Sequence, residues 1–332
     1  MTGPGTGGPL LLAIESSCDE TGIALVEGGS RILSNVVASQ VALHAPSGGI
    51  VPEVAARAHL RWILPVLDQA WAGSGATWDD VGVVAVTRGP GLAGSLLVGI
   101  NVAKTLAWVH DKPLVGVNHL EGHLYAAWLR DPGQDAGEAP PFPLVALVVS
   151  GGHTFLVEMP DHLTYRLLGN TVDDAAGEAF DKVGRLLDLP YPGGPSIQKA
   201  AEGATRHDRA FPRAWLGDSY DFSFSGLKTA LLYRVRDLAP DELAARRADL
   251  AASYQRAIVR ALVERIEATG ADRIAVVGGV AANSELRASL PDAALAPLPL
   301  CTDNAAMIAS AARYTEAVPY PGYLSLDARA SA

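Results

Sequence analysis

An α/β fold built as two similar lobes is what this sequence predicts, and three observations carry the prediction. The chain has 332 residues, more than the roughly 100–200 of an ordinary domain. Short apolar strands at Val81–Val86, Leu114–Val117 and Arg273–Val277 alternate with helical stretches, the rhythm of an α/β architecture. An apolar strand, a small-residue turn and a second apolar strand occur twice, once near the start of each half of the chain. That repetition reads as an internal duplication.

The first copy is Leu11–Ile14, the polar turn Glu15-Ser16-Ser17-Cys18-Asp19-Glu20-Thr21, then Gly22–Val26. The second is Leu144–Val149, the turn Ser150-Gly151-Gly152-His153-Thr154, then Phe155–Val157. Both are hairpin signals. Between the halves, Leu129 to Pro141 is rich in Pro, Gly and acidic residues and has no periodicity, which marks a lobe boundary. The expected domains are 9–130, joined by a C-terminal helix at about 303–332, and 142–302.

Composition narrows the class. Nearly half of the residues are hydrophobic and the net charge is −10, which argues against a general nucleic-acid binder. The stretch from Lys182 to Arg236 runs the other way, with nine Lys/Arg against five Asp/Glu. It is a candidate for a phosphate backbone or a plain solvated surface. No apolar run approaches the ~20 residues of a membrane span. Two cysteines, Cys18 and Cys301, make no disulfide framework; a cytoplasmic location is expected.

Several turns carry chemistry. Asn118-His119-Leu120-Glu121-Gly122-His123 follows a strand and opens a helix. Residues four apart share a helix face, so His119 and His123 can address one ion. Glu121 is not in the position of a zinc-protease base. Its spacing from Asn118 is that of a capping box. Thr302-Asp303-Asn304 reads as a cap that places Asp303 in the first turn of a helix running to about Thr315. There it either favours the helix dipole or completes a two-His, one-carboxylate site for iron(II), zinc or manganese. Ser150-Gly151-Gly152 offers backbone N–H groups suited to phosphate. Gly278 to Asn283 and Thr87 to Ser95 are further strand-to-helix turns, none of them a Walker loop. Asp181 falls off the apolar stripe Phe180, Val183, Leu187, where it can accept from a ribose or face water. Tyr191 to Pro195, with Gly194, is a rigid turn.

Taken in order, these stretches resemble the bacterial type of the tRNA N6-adenosine threonylcarbamoyltransferase family. The matching segments are Ile14 to Thr21, Gly48 to Glu53, Thr87 to Gly99, Asn118 to His123, Val149 to Thr154, Gly177 to Val183, Tyr191 to Pro195, Phe222 to Lys228, Gly278 to Asn283 and Thr302 to Met307. The resemblance implies the actin/Hsp70/sugar-kinase (ASKHA) fold, with a nucleotide cleft between its lobes. It implies transfer of threonylcarbamoyl from threonylcarbamoyl-AMP to N6 of adenosine 37, in tRNAs reading codons that begin with A. On it, His119, His123 and Asp303 bind a divalent metal, typically Fe(2+), with Zn(2+) or Mn(2+) as alternatives. Val148, Val149, Ser150, Gly151, Gly152, Asp181, Gly194 and Asn283 hold the adenylate. Asp19 and Glu20 are candidates for proton handling. Val148 stands where archaeal members carry a metal-binding tyrosine. The implied partners are tRNA, a degenerate paralogue of the same fold (TsaB-like) and a small P-loop ATPase (TsaE-like).

Competing readings are an ATP-dependent kinase of the same superfamily fold and a non-catalytic binding module. A kinase has no need of the His119/His123 pair, and a degenerate module has no need of all three ligands.

Overall fold

Two strands buried along their whole length anchor two sheets of the same design. The computed structural model describes residues 8–129, 139–206, 211–212 and 216–331. The chain divides into two compact units, Met1–Ala139 with Ala296–Ala332, and Pro140–Leu295. Much of the boundary expected at Leu129 to Pro141 lies outside the described residues.

In the first unit the strands are β1 (Leu10–Glu15), β2 (Glu20–Glu27), β3 (Arg31–Ser39), β4 (Val81–Gly89) and β5 (Leu114–Asn118), in the order β3-β2-β1-β4-β5. The helices are α1 (Val41–His44), α2 (Pro52–Ser74), α3 (Ala93–Val109) and α4 (His119–Tyr125). In the second unit come β6 (Leu144–Val149), β7 (Thr154–Asp161), β8 (Thr164–Asn170), α5 (Ala176–Leu186), α6 (Gly193–Ala201), α7 (Ser225–Val235), α8 (Pro240–Ala268), β9 (Ile274–Val277), α9 (Ser284–Ser289) and β10 (Ala294–Leu295). Their order, β10-β9-β6-β7-β8, repeats the first sheet. In each, a central strand pairs antiparallel with the next strand and parallel with one that returns after a helix. Both central strands are buried along their whole length, as a strand covered on both faces requires.

Helix α10 (Ala305–Ala312) returns to the first unit. It is shorter than the expected helix, and Asp303 is not in its first turn. The cap is Asn304, whose Oδ1 accepts from Met307 N at 3.1 Å. Asp303 therefore stands just outside the helix, on a loop that can turn its carboxylate inward. Small residues let α10 approach closely: a Cβ on Gly22 of β2 would lie 3.0 Å from Ala305 N, and one on Gly122 of α4 would lie 2.7 Å from Ile308 Cδ1.

The core of the first unit is aliphatic, with Leu12, Ile14, Ile23, Leu25, Leu96 and Ile100 all essentially inaccessible. In the second, Tyr254 of α8 packs edge-on to Phe180 of α5 and donates to Ala179 O at 3.3 Å. Among the described residues no helix is long and apolar enough to cross a membrane.

Candidate metal centre and anion-binding turn

The candidate metal-ligating side chains are positioned by α4 and by the loop before α10. Asn118 caps α4, its Oδ1 accepting from Leu120 N at 2.8 Å. Glu121 lies in the first turn of α4, and burial raises its pKa. The capping box expected from its spacing is not formed, because the Asn118 cap bonds Leu120 N instead. The cap fixes the start of the helix, so His119 and His123 project from one face with ring centroids 4.7 Å apart. Asp303 Oδ1 lies 3.6 Å from His119 Nε2 and 3.1 Å from His123 Nε2. One ligand atom from each of the three residues falls within 4.8 Å of the others. Two imidazoles and one carboxylate converging at a buried point fit a divalent cation such as iron(II), zinc or manganese.

His119 is held from behind by residues to which the sequence alone assigns no role. Its Nδ1 lies 3.2 Å from Glu15 Oε2 and 3.2 Å from Ser17 Oγ. Glu15 is fully buried at the end of β1. Its Oε1 accepts from Ser17 N and its Oε2 from Thr87 Oγ1, each at 2.5 Å. Burial and the Asp303 carboxylate disfavour the ionised carboxyl, but His119 and Ser17 outweigh them, so the pKa of Glu15 is lowered. Burial likewise disfavours the charged His119. The Asp303 and Glu15 carboxylates overcome this and push its pKa up to about 9 in the metal-free protein. A buried carboxylate needs such partners, and a carboxylate closing an apolar strand is the available signal in the sequence.

The acidic turn between β1 and β2 is also buried. Asp19 accepts at its backbone oxygen from Gln40 N at 2.9 Å. Ser39 Oγ donates to Glu20 Oε1 at 3.1 Å. Burial, then repulsion from Asp303 and Asp19, pushes the Glu20 pKa up to about 10, and the carboxyl hydrogen-bonds Asp19. The two carboxyl groups of the turn are thus joined by a hydrogen bond. His59 braces the turn: its Nδ1 meets Thr21 Oγ1 at 2.7 Å and its Nε2 donates to Cys18 O at 3.0 Å.

The expected adenylate residues lie in the second unit around the end of β6. Val148 and Val149 are inaccessible strand residues, so only their backbone is offered. Ser150 is consumed by the turn: its N donates to His153 O at 2.8 Å and its carbonyl accepts from Gly177 N at 3.1 Å. Gly151 and Gly152 are exposed, and nothing lies within 4 Å of where a Cβ would stand on either. The flanking elements close on this turn through glycines. A Cβ on Gly177 of α5 would meet Ser150 O at 2.5 Å, and one on Gly278 (φ +95) would meet Val149 O at 2.5 Å. Asp181 Oδ1 accepts from Gly193 N at 2.7 Å and ties α6 to α5. Gly194, next along, is open. Asn283 caps α9 through Leu286 N at 3.0 Å and donates to Gln255 Oε1 at 2.9 Å, a capping role in keeping with its position before a helix.

Of the basic stretch, Arg209 and Arg213 lie outside the described residues. Lys182 pairs with Asp174 at 2.6 Å and Glu178 at 2.9 Å, and Lys228 lies 3.6 Å from Asp174. These pairs use up part of its charge.

Comparisons with known proteins give the family and the fold. The family model described as "TsaD: tRNA N6-adenosine threonylcarbamoyltransferase" matches residues 31–310. A tRNA N6-adenosine threonylcarbamoyltransferase of Thermomicrobium roseum is 52% identical over 97% of this chain and 96% of that protein. One from Symbiobacterium thermophilum is 53% identical over 92% and 91%. Among solved structures, full-length HypF in a phosphate- and nucleotide-bound form matches with a TM-score of 0.58 at 11% identity, over 98% of this chain and 47% of that one. Component A of the (R)-2-hydroxyglutaryl-CoA dehydratase of Acidaminococcus fermentans matches with a TM-score of 0.52 at 12% identity, over 96% and 100%. At such identities these structures speak for the ASKHA fold alone.

Proposed function

The chain belongs to the tRNA N6-adenosine threonylcarbamoyltransferase family, and from that premise we propose that it transfers threonylcarbamoyl from threonylcarbamoyl-AMP to N6 of adenosine 37 in tRNAs reading codons that begin with A. The chain is a transferase acting on tRNA. The relatives name this activity and not a kinase, so the kinase reading is not favoured.

In this reaction a bond forms between N6 and the carbamoyl carbon, the bond from that carbon to the phosphate oxygen breaks, and AMP leaves. N6 is a weak nucleophile and loses a proton as it attacks. Asp19 receives that proton, and Glu20 orients it through their shared hydrogen bond. The exposed Gly151–Gly152 turn holds the adenylate phosphate on its backbone amides. The backbone of Val148, Val149 and Ser150, with Gly194, shapes the surface beside it. Asp181 and Asn283 support that surface by fixing α6 and α9. When bound by His119, His123 and Asp303, a divalent metal supplies a Lewis acid for the carbonyl or the leaving phosphate, and iron(II) suits the donor set.

The observation that carries the reading is the convergence of His119, His123 and Asp303 on one point, a feature with no place in a kinase of this fold. A degenerate paralogue of the same fold and a small P-loop ATPase are the proposed protein partners, and the cytoplasm, where tRNA is modified, is the proposed location. The test supplies the protein and these partners with threonylcarbamoyl-AMP and unmodified tRNA, then weighs the nucleosides of the digested tRNA. Threonylcarbamoyladenosine formed by the wild type and lost in His119→Ala supports the proposal. No product from partner-bound, metal-loaded wild type overturns it.

A further inference from the structure

A histidine that binds a metal must present a lone pair, and which nitrogen presents it depends on where the single ring proton sits. The two histidines of the cluster are treated differently in this respect. His123 Nδ1 is buried and has no hydrogen-bond partner among the described residues. His119 Nδ1 faces Glu15 Oε2 and Ser17 Oγ, both at 3.2 Å.

Ser17 alone leaves the ring proton undecided, because a hydroxyl donates or accepts. Glu15 decides it. Both of its oxygens already serve as acceptors, Oε1 from Ser17 N and Oε2 from Thr87 Oγ1, at 2.5 Å each, so Oε2 faces Nδ1 as an acceptor. Glu15 therefore has no freedom to rotate away. We infer that Glu15, clamped by Ser17 and Thr87, is the positioning residue that keeps the ring proton of metal-bound His119 on Nδ1 and aims its Nε2 lone pair at the cation. This inference rests on the reading of His119, His123 and Asp303 as a metal site. It assigns three residues, on β1, the acidic turn and β4, to the making of that site.

The arrangement explains why Glu15 is buried without access to water. Carboxylate partners of ligating histidines raise ligand basicity and fix the ring plane, and their loss typically weakens metal affinity about 10–100-fold. Glutamine at this position cannot replace the carboxylate. With its amide nitrogen toward His119 it donates to Nδ1 and drives the ring proton to Nε2, where the metal would sit. With the nitrogen toward Ser17 it sets two donors against each other.

The test is zinc binding by the metal-free full-length protein, measured by isothermal titration against wild type, Glu15→Gln, Glu121→Gln, His123→Ala and Asp303→Ala. Glu15→Gln is expected to weaken zinc about 10–100-fold, while Glu121→Gln, in the first turn of α4, stays within about twofold. If His123→Ala and Asp303→Ala bind zinc like wild type, the metal-site reading itself fails. If those two lose zinc while folded Glu15→Gln keeps it within about twofold, the role of Glu15 is refuted and the metal site stands. Should Glu15→Gln not fold, the zinc-loaded wild type answers alone through its imidazole 15N–1H correlations. A protonated Nδ1 and a metal-bound Nε2 on His119 support the inference, and a protonated Nε2 overturns it.

Discussion

The turn after β1 and the turn after β6 occupy the same place in two sheets of the same topology, yet they have opposite character. The first is acidic and buried, with Glu15 and Ser16 inaccessible, Ser17 nearly so and Asp19 only slightly exposed. The second has Gly151 and Gly152 exposed at its apex. The difference follows from what covers them. Helix α10 rests on β2 where Gly22 leaves room, and His59 of α2 braces the first turn from behind. Around the second turn, glycines at 177 and 278 bring neighbouring backbones against its base and leave its tip clear. In the proposed function, one copy of the duplicated hairpin supports a metal site and the other offers an amide surface to an anion. Both roles come from the same backbone, which is why the fold alone does not reveal the activity.

A pair of substitutions separates the two roles. Asp303→Ala removes one of three ligands, so zinc affinity is expected to fall at least about 100-fold and product formation with it. AMP affinity, which the proposed function assigns to the other turn, is expected to stay within about twofold. Zinc retained at wild-type affinity would break the assignment of the first turn.

Gly152→Ala is the reciprocal change. A Cβ there meets nothing within 4 Å, so a cost to folding below about 0.5 kcal/mol is expected. It does stand where a phosphate would approach the amides. AMP affinity is expected to fall about tenfold, or about 1.4 kcal/mol, with zinc binding unchanged. Unaltered AMP binding in a folded variant would take the phosphate away from this turn.

The smallest expected effect concerns Glu20, whose pKa rises from 4.5 to about 10 in the folded protein. Between those values the folded state holds a proton that the unfolded state has released, so stability falls as pH rises through this window. An amide side chain at this position does not titrate and carries no such linkage. In Glu20→Gln, metal-free melting temperature is expected to exceed wild type by a margin that grows from pH 5 to pH 8. A constant margin would mean that Glu20 is ionised in the folded protein.

Much of this is legible in the sequence because it is local. The two hairpins, their duplication, the Asn118 cap and the His119/His123 spacing all rest on residues within a few positions of one another. Asp303 is a harder case. Spacing favours a dipole role for it and places it inside the helix, whereas Asn304 caps α10 and leaves the Asp303 carboxylate to the histidines. Its contact with α4 depends on α10 folding back over Gly122, a long-range event with no local signature. Glu15 escapes a local reading for the same reason: its partners at 87 and 119 are brought together by pairing of β1 with β4 and of β4 with β5. Lys182 and Lys228 mislead in the other direction, since a charge count does not reveal that Asp174 lies between them.

The account stands most directly on whether transfer requires the metal centre. The measurement is the rate of threonylcarbamoyladenosine formation by chelator-stripped enzyme, with its partners, threonylcarbamoyl-AMP and tRNA, before and after one equivalent of iron(II) or zinc. Loss of product on stripping and its return on reloading, absent in Asp303→Ala, is the predicted result. Stripped enzyme working at the wild-type rate, with metal content verified near zero, would contradict it.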